Sequence, residues 1–165
     1  MRTAAVINGM IKFSEGNINS INHFMKVYGF ARLIGELEML EPEEQEVLEI
    51  AAVVHDIACD HCCRKYGHCN GKVQEEEGPA MVREFLADYH YSTKFVDKIS
   101  WIVGHHHTYE NVEGIEHQIL LEADFLVNAG EKDVSAESVR QMYEEVFRTH
   151  SGKDLLKEMY SFAWE

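Results

Sequence analysis

The chain has 165 residues, of which 45% are hydrophobic and 27% charged, and its formal net charge is −14. This composition is typical of an ordinary globular protein, and we expect a single domain over residues 1–165. The negative charge argues against a nucleic-acid polymer or an anionic membrane as the main partner, because both attract basic proteins. The sequence has neither a long apolar span nor the apolar core of a secretory signal, so the expected location is the cytoplasm.

Apolar residues recur at helical spacing almost throughout the chain, and strand-like alternation is absent. We predict helices over residues 19–40, 42–56, 74–89, 92–105, 116–128, 135–149 and 153–162. Residues 59–73 show little periodicity, and we expect them to form an irregular crossing loop. The predicted fold is an all-α helical bundle in which metal ligands project inward from facing helices.

The pair His55-Asp56 closes an apolar helical run that begins at Val47. Burying an unpaired imidazole or carboxylate is costly, so such a pair is usually hydrogen-bonded, ion-paired or bound to a metal. Other histidines and an aspartate also lie at apolar helix faces or ends: His23, His105, His106, His107 and Asp124. Each of these alone is compatible with an ordinary core histidine or helix-end carboxylate. Together they predict a metal site with nitrogen and oxygen ligands.

The four cysteines, Cys59, Cys62, Cys63 and Cys69, fall within one short segment. A disulfide framework is not expected in a chain without a secretory signal. The spacing from Cys59 to Cys62 fits half of a zinc knuckle, but the downstream pattern does not match a familiar zinc finger. Reduced, partly buried thiols are therefore favoured over a structural zinc, and we expect the cysteines to be dispensable for the main site.

The order H…HD…HH…D resembles the HD-domain superfamily of metal-dependent phosphohydrolases. The resemblance is carried by several stretches that together cover residues 19–131, and it points to a small bacterial branch of stand-alone HD-domain proteins. These stretches are residues 23–31, 55–57, 65–67, 74–79, 103–109 and 122–128.

The resemblance implies metal ligands at particular positions of this chain. The core site would consist of His23, His55, Asp56 and Asp124. Asp56 would be able to bridge two ions. His105 and His106 match downstream histidines that serve a second ion in multinuclear members of the family, and either one would alternatively protonate a leaving group.

Two positions depart from the family's pattern. Gln74 stands where many members have another histidine, so either Glu77, one helical turn further on, supplies a ligand oxygen, or the second ion binds weakly. Cys59 stands where many members have a lysine, so a cation that steadies a phosphate would have to be Lys26 or Lys65. The acidic residues around Glu77 are equally compatible with a solvated first helical turn.

The resemblance implies hydrolysis of a small phosphorylated, nucleotide-like substrate with one or two divalent metal ions as cofactors. Asp56, His106 and Lys26 are the expected catalytic residues. The nitrogen and oxygen ligand set does not choose between Fe, Mn, Ni, Zn and Mg. Two other functions stay open, an HD-fold di-iron oxygenase and a non-catalytic metal-stabilised binding module, and so does a homodimer.

Overall fold

The computed structural model describes residues 2–164, and every regular element in that range is helical. The all-α prediction is therefore confirmed. The helices are α1 (Arg2–Phe13), α2 (Ile18–Leu37), α3 (Pro42–Val54), α4 (Cys59–Tyr66), α5 (Gly71–Leu86), α6 (Thr93–Val103), α7 (Gly114–Glu131), α8 (Ala136–Glu145) and α9 (His150–Met159). Short 3-10 turns occupy Ala87–Tyr89 and Ser161–Trp164. No helix within residues 2–164 is long and apolar enough to cross a membrane.

Helix α3 lies at the centre of the bundle, where it packs against α1, α2, α6 and α7. It begins with Pro42 in the first turn and a capping box in which Glu41 and Glu44 bind each other's backbone. Every residue from Val47 to Val54 is buried, so the helix has no solvent-exposed face over that length. Its end therefore delivers the next two residues into the interior.

Helix α7 is also almost wholly buried, and it contains the fully buried carboxylate Glu122. This carboxylate accepts hydrogen bonds from the Gln118 side chain at 2.7 Å, the Arg148 backbone at 2.7 Å and the Thr149 backbone at 3.0 Å. The Thr149 hydroxyl also donates to it. A buried charge held by this many donors is stabilised, and here it fastens the start of α9 to the core.

The structure contains two helices that the apolar periodicity does not predict. Helix α1 buries only Val6 and Met10, too few residues to give a clear pattern. Helix α4 buries only Cys62 and ends at Gly67, whose left-handed backbone (φ 76°) is typical of a helix C-terminus. The prediction of an irregular loop over residues 59–73 is therefore wrong for most of its length.

One buried contact gives a test of the fold. Alanine is normally the better helix former, yet a Cβ at Gly152 would lie 2.6 Å from the Thr149 hydroxyl oxygen and closer still to the Glu122 carboxylate. We expect Gly152→Ala to lower the free energy of unfolding by about 1–3 kcal/mol, measured by urea denaturation.

The matched control is Gly29→Ala, because Gly29 is exposed in α2 and an added Cβ there would meet no atom within 4 Å. This change should raise the free energy of unfolding by about 0.5–1 kcal/mol. Equal effects of the two substitutions would contradict the packing described at Glu122.

Candidate metal centre

Four segments bring polar side chains to one point in the bundle. Helices α2 and α7 contribute from their sides, whereas the turns after α3 and α6 contribute from helix ends. The C-terminal end of a helix carries a partial negative charge, so the ends of α3 and α6 favour a cation between them. The side chains brought together are His23, His55, Asp56, His106, His107 and Asp124.

The first group consists of His23, His55 and Asp124, all largely buried. The Nε2 atom of His23 lies 3.2 Å from both the His55 Nε2 and the Asp124 Oδ1, and the His55 Nε2 lies 3.6 Å from that oxygen. Ligand atoms about 2.1 Å from a shared ion are separated by about 3.0–3.4 Å at octahedral or tetrahedral angles. The three atoms are therefore close to the spacing that one divalent cation requires.

The hydrogen bonds on the far side of the rings decide which nitrogen faces the cluster. The His55 Nδ1 donates to the Ala52 carbonyl at 2.8 Å, and the His106 Nδ1 donates to the Val103 carbonyl at 2.7 Å. A carbonyl only accepts, so in each neutral ring the Nε2 carries a lone pair. These lone pairs point at each other and at carboxylate oxygens, an arrangement that needs either protons or a metal cation.

Glu131 orients His23 in the same way. Its carboxylate lies 2.9 Å from the His23 Nδ1 through one oxygen and 2.9 Å from the Lys26 ammonium through the other. Lys26 is therefore ion-paired with the carboxylate that orients His23, and its catalytic role stays a prediction. Its partner lies far along the chain, which is why sequence spacing gives no sign of the pair.

The Asp56 carboxylate faces both halves of the cluster. Its Oδ2 lies 3.4 Å from the Nε2 atoms of His23 and His55, whereas its Oδ1 lies 3.4 Å from the His106 Nε2. Asp56, His106 and His107 form a second group whose ligand atoms lie within 4.8 Å of one another. The geometry therefore offers two metal positions that share Asp56.

Of the two downstream histidines that the sequence predicts as ligands, the structure brings His106 into the cluster but not His105. His105 stacks on the Trp101 ring with centroids 4.2 Å apart and donates to the Trp101 carbonyl, so it lies outside the cluster. His107 takes the expected place, and its Nε2 is buried without a hydrogen-bond partner among the described residues. Helix α6 ends at Val103, and the turn that begins at Gly104 places His106 and His107 in the cluster. The run of three histidines was the only signal for His107.

Glu77 also lies outside the cluster, which corrects its predicted role as a metal ligand. It accepts from the Lys65 ammonium at 2.6 Å and the Tyr66 hydroxyl at 2.5 Å, and so ties α5 to α4. Its neighbour Glu75 is not simply a solvated first-turn residue, because its carboxylate accepts from the His107 backbone at 3.0 Å. Glu75 thereby holds the turn that carries the downstream histidines.

Opposite charges set the protonation of the cluster when no metal is bound. Burial alone would lower the pKa of both histidines, but the Asp124 hydrogen bond raises that of His23, and the charge of Asp56 raises that of His55 well above its usual value. Burial would likewise raise the pKa of both carboxyls, yet His55 and His106 hold that of Asp56 well below its usual range, and His23 and His55 lower that of Asp124. Without a metal, His23 and His55 therefore keep protons that a bound metal would displace.

The HD-domain family model matches residues 20–139 of this chain. The chain belongs to the HD-domain family. A predicted HD superfamily hydrolase from an uncultured Thermotogales bacterium has a similar structure, with a TM-score of 0.70 and 20% sequence identity. The match covers 98% of the present chain and 86% of that chain. At this identity the likeness concerns the fold. No curated protein matches the sequence. HD domains bind divalent metals, and the His/Asp cluster of this HD domain could hold one.

The shared carboxylate leads to a prediction about metal content. Asp56→Ala should weaken metal binding at both positions, because each position loses an oxygen ligand, while the far-ultraviolet circular dichroism stays helical. His106→Ala should weaken binding at only one position. Glu77→Ala is the control and should leave the number of bound ions unchanged in isothermal titration. Full metal content in Asp56→Ala would contradict the two-position geometry.

The raised pKa of His23 and His55 gives a second prediction with a defined sign. Below these raised values the imidazoles are protonated and cannot bind metal, whereas above them they are free to bind. Metal affinity should therefore increase as the pH rises from about 6 to about 8, each bound ion displacing protons. Calorimetric titration in buffers of different ionisation enthalpy measures those protons, and an affinity independent of pH would contradict the assignment.

Proposed function

We propose that this HD domain hydrolyses a phosphate ester or phosphoanhydride bond in a small, nucleotide-like molecule. The observation that carries the proposal is the position of the His/Asp cluster in the wall of a cavity that also has unpaired cationic side chains at its rim. The cavity has a volume of about 510 Å³, and His23, Asp56, His107 and Asp124 line it. Sites for small-molecule ligands are commonly of this size.

The rim supplies the positive charge that a phosphate needs. Lys12, Arg64 and Lys132 line the cavity, and none of the three forms an ion pair within residues 2–164. An arginine matches the geometry of a phosphate with two parallel donors. These three side chains replace Lys26 and Lys65, whose ammonium groups are bound to glutamates. The same cavity is also lined by the carboxylates Glu15, Asp60 and Glu131, so these cations are local features of a mixed surface.

The cavity wall also includes apolar side chains, which fit the non-phosphate part of a nucleotide-like substrate. Its apolar side chains are Met10, Phe13, Phe24, Val53, Ile57 and Met81. Phe13 is 43% exposed, so its ring is accessible for stacking against a flat group such as a base. The presence of both apolar side chains and unpaired cations in the lining supports a substrate with one flat apolar end and one anionic end.

The chain's own groups have distinct tasks in the proposed reaction. A bound divalent cation would supply Lewis acidity and activate water. Asp56 and Asp124 would hold that cation, and the Asn128 amide fixes the Asp124 carboxylate by donating to it at 2.7 Å. His106 has hydrogen-bond partners at both ring nitrogens and is almost fully buried, so it is better suited to holding a cation than to moving a proton.

His107 is the better candidate for accepting a proton from the attacking water. Burial and the neighbouring His106 lower the pKa of His107 to about 4, so its ring is neutral at neutral pH. It lines the cavity, and its Nε2 lacks a partner in the described part of the chain. We therefore propose His107 as the proton acceptor for the attacking water when no ion occupies the second position, and we assign no proton-transfer role to His106.

A metal-defined preparation tested against nucleoside phosphates and p-nitrophenyl phosphate would decide the reaction class. We expect metal-dependent release of phosphate or of a phosphorylated product. Oxygen consumption by the iron-loaded protein without phosphoester turnover would favour the oxygenase alternative. A full complement of metal with neither activity would favour a binding module. Either of these two results would contradict the proposal.

The rim predicts a specific kinetic effect. Arg64→Ala should raise KM for a phosphorylated substrate by roughly tenfold or more, since a charge-assisted contact contributes about 1.5–3 kcal/mol, and should change kcat much less. The control is Lys26→Ala, which removes a cation outside the cavity wall and should leave KM close to the original value. Equal KM values for Arg64→Ala and the unaltered protein would show that Arg64 does not contact the substrate.

A further inference from the structure

Three of the four cysteines converge beside the cavity, next to the His/Asp cluster but with no residue in common with it. The sulfur atoms of Cys59, Cys63 and Cys69 lie within 4.8 Å of one another, and all three are free thiols. We propose that these three cysteines form a thiolate site for one Zn²⁺ ion. This inference does not depend on the proposed hydrolase activity.

Local structure explains why these three thiols meet. Cys59 and Cys63 are four residues apart in α4 and therefore lie on the same face of that helix. The left-handed backbone at Gly67 ends the helix and turns the chain back. The Gln74 side chain then donates to the Cys69 carbonyl at 2.9 Å, which holds the segment between α4 and α5 in place.

Cys62 has a different role, which corrects the zinc-knuckle alternative. Its sulfur is buried and lies 3.5 Å from the Val73 carbonyl on α5, so it points away from the other three thiols. The pair Cys59 and Cys62, whose spacing suggested half of a knuckle, is not brought together. A thiol on the same helix therefore serves as a natural internal control.

The helix that carries the thiols is held at both of its ends. The Asn17 amide donates to the Asp60 carboxylate at 3.0 Å, which fixes the start of α4 against the start of α2. Near its other end, Lys65 and Tyr66 bind Glu77 on α5. These contacts hold the sulfur atoms near one another before any ion arrives, which reduces the entropic cost of binding.

The chemistry of the ligands favours zinc over the hard cations. Thiolates are soft ligands that select Zn²⁺ among common cellular divalent ions. Tetrahedral zinc with sulfur at about 2.3 Å places sulfur atoms about 3.8 Å apart, which small side-chain rotations from the observed arrangement would reach. Each thiol releases its proton to water as its sulfur binds the ion.

The fourth zinc position would be open. Cys63 is exposed, and Cys59 and Cys69 line the cavity, so solvent reaches the thiols from two sides. Three protein ligands and one exchangeable ligand is the pattern of a zinc ion that stays accessible to water or a small molecule. We therefore place this ion at the cavity wall rather than in a closed structural site.

Cobalt titration of the reduced, metal-free full chain tests the proposal, because Co²⁺ bound to thiolates gives a near-ultraviolet charge-transfer band that histidine and carboxylate ligands do not give. We expect the band in the unaltered protein and displacement of the cobalt by Zn²⁺. Cys63→Ser and Cys69→Ser should each lose the band or weaken cobalt binding at least tenfold. Cys62→Ser should retain it, and so should His23→Ala, which disables only the His/Asp cluster.

Absence of the band in the unaltered protein would overturn the proposal, and so would an unchanged band in both Cys63→Ser and Cys69→Ser. A second measurement uses the unaltered protein alone and so does not depend on how the variants fold. Zn²⁺ should protect Cys59, Cys63 and Cys69 from alkylation, as read by peptide mass spectrometry. Equal labelling with and without Zn²⁺ would also contradict a zinc site. So would a disulfide among these residues if the protein binds no zinc after that disulfide is reduced.

Discussion

The central constraint on this molecule is the convergence of lone pairs in a largely buried place. Backbone carbonyls accept hydrogen bonds from the Nδ1–H groups of His55 and His106, and the Glu131 carboxylate accepts one from His23. The three Nε2 atoms then face two carboxylates, and this arrangement is tolerable only with positive charge between them. The contacts around the cluster serve to keep its acceptors in place.

Two helices that are buried over most of their length hold the ligands of the cluster in position. Helix α3 ends at the HD pair, and α7 places Asp124 opposite it. The same helix α7 also carries Asn128, which fixes Asp124, and Glu131, which orients His23. A single rigid element therefore supplies one ligand and two of the groups that orient ligands, so the spacing of the cluster follows from helix geometry.

Much of the fold and the centre of the cluster could be predicted from the sequence, because long apolar runs leave few positions for ionisable residues. His55 and Asp56 stand out for that reason. The choice between His105 and His107 could not be predicted, since it depends on a turn that redirects the chain after α6. Helix α4 was missed because polar residues and cysteines dominate it. The pairing of Lys26 with Glu131 could not be predicted either, because the two residues are 105 positions apart along the chain.

The position of Asp56 between two histidine groups has a thermodynamic consequence. If both positions bind an ion, an ion held by one oxygen of this carboxylate would restrict the rotation of the other oxygen and change the electrostatic potential at the neighbouring position. Occupancy of the two positions would then be linked, and linkage is reciprocal: whatever factor the first ion imposes on the affinity of the second, the second imposes on the first. Forms with one ion and with two ions would be distinct species, and their populations would depend on the concentration of free metal.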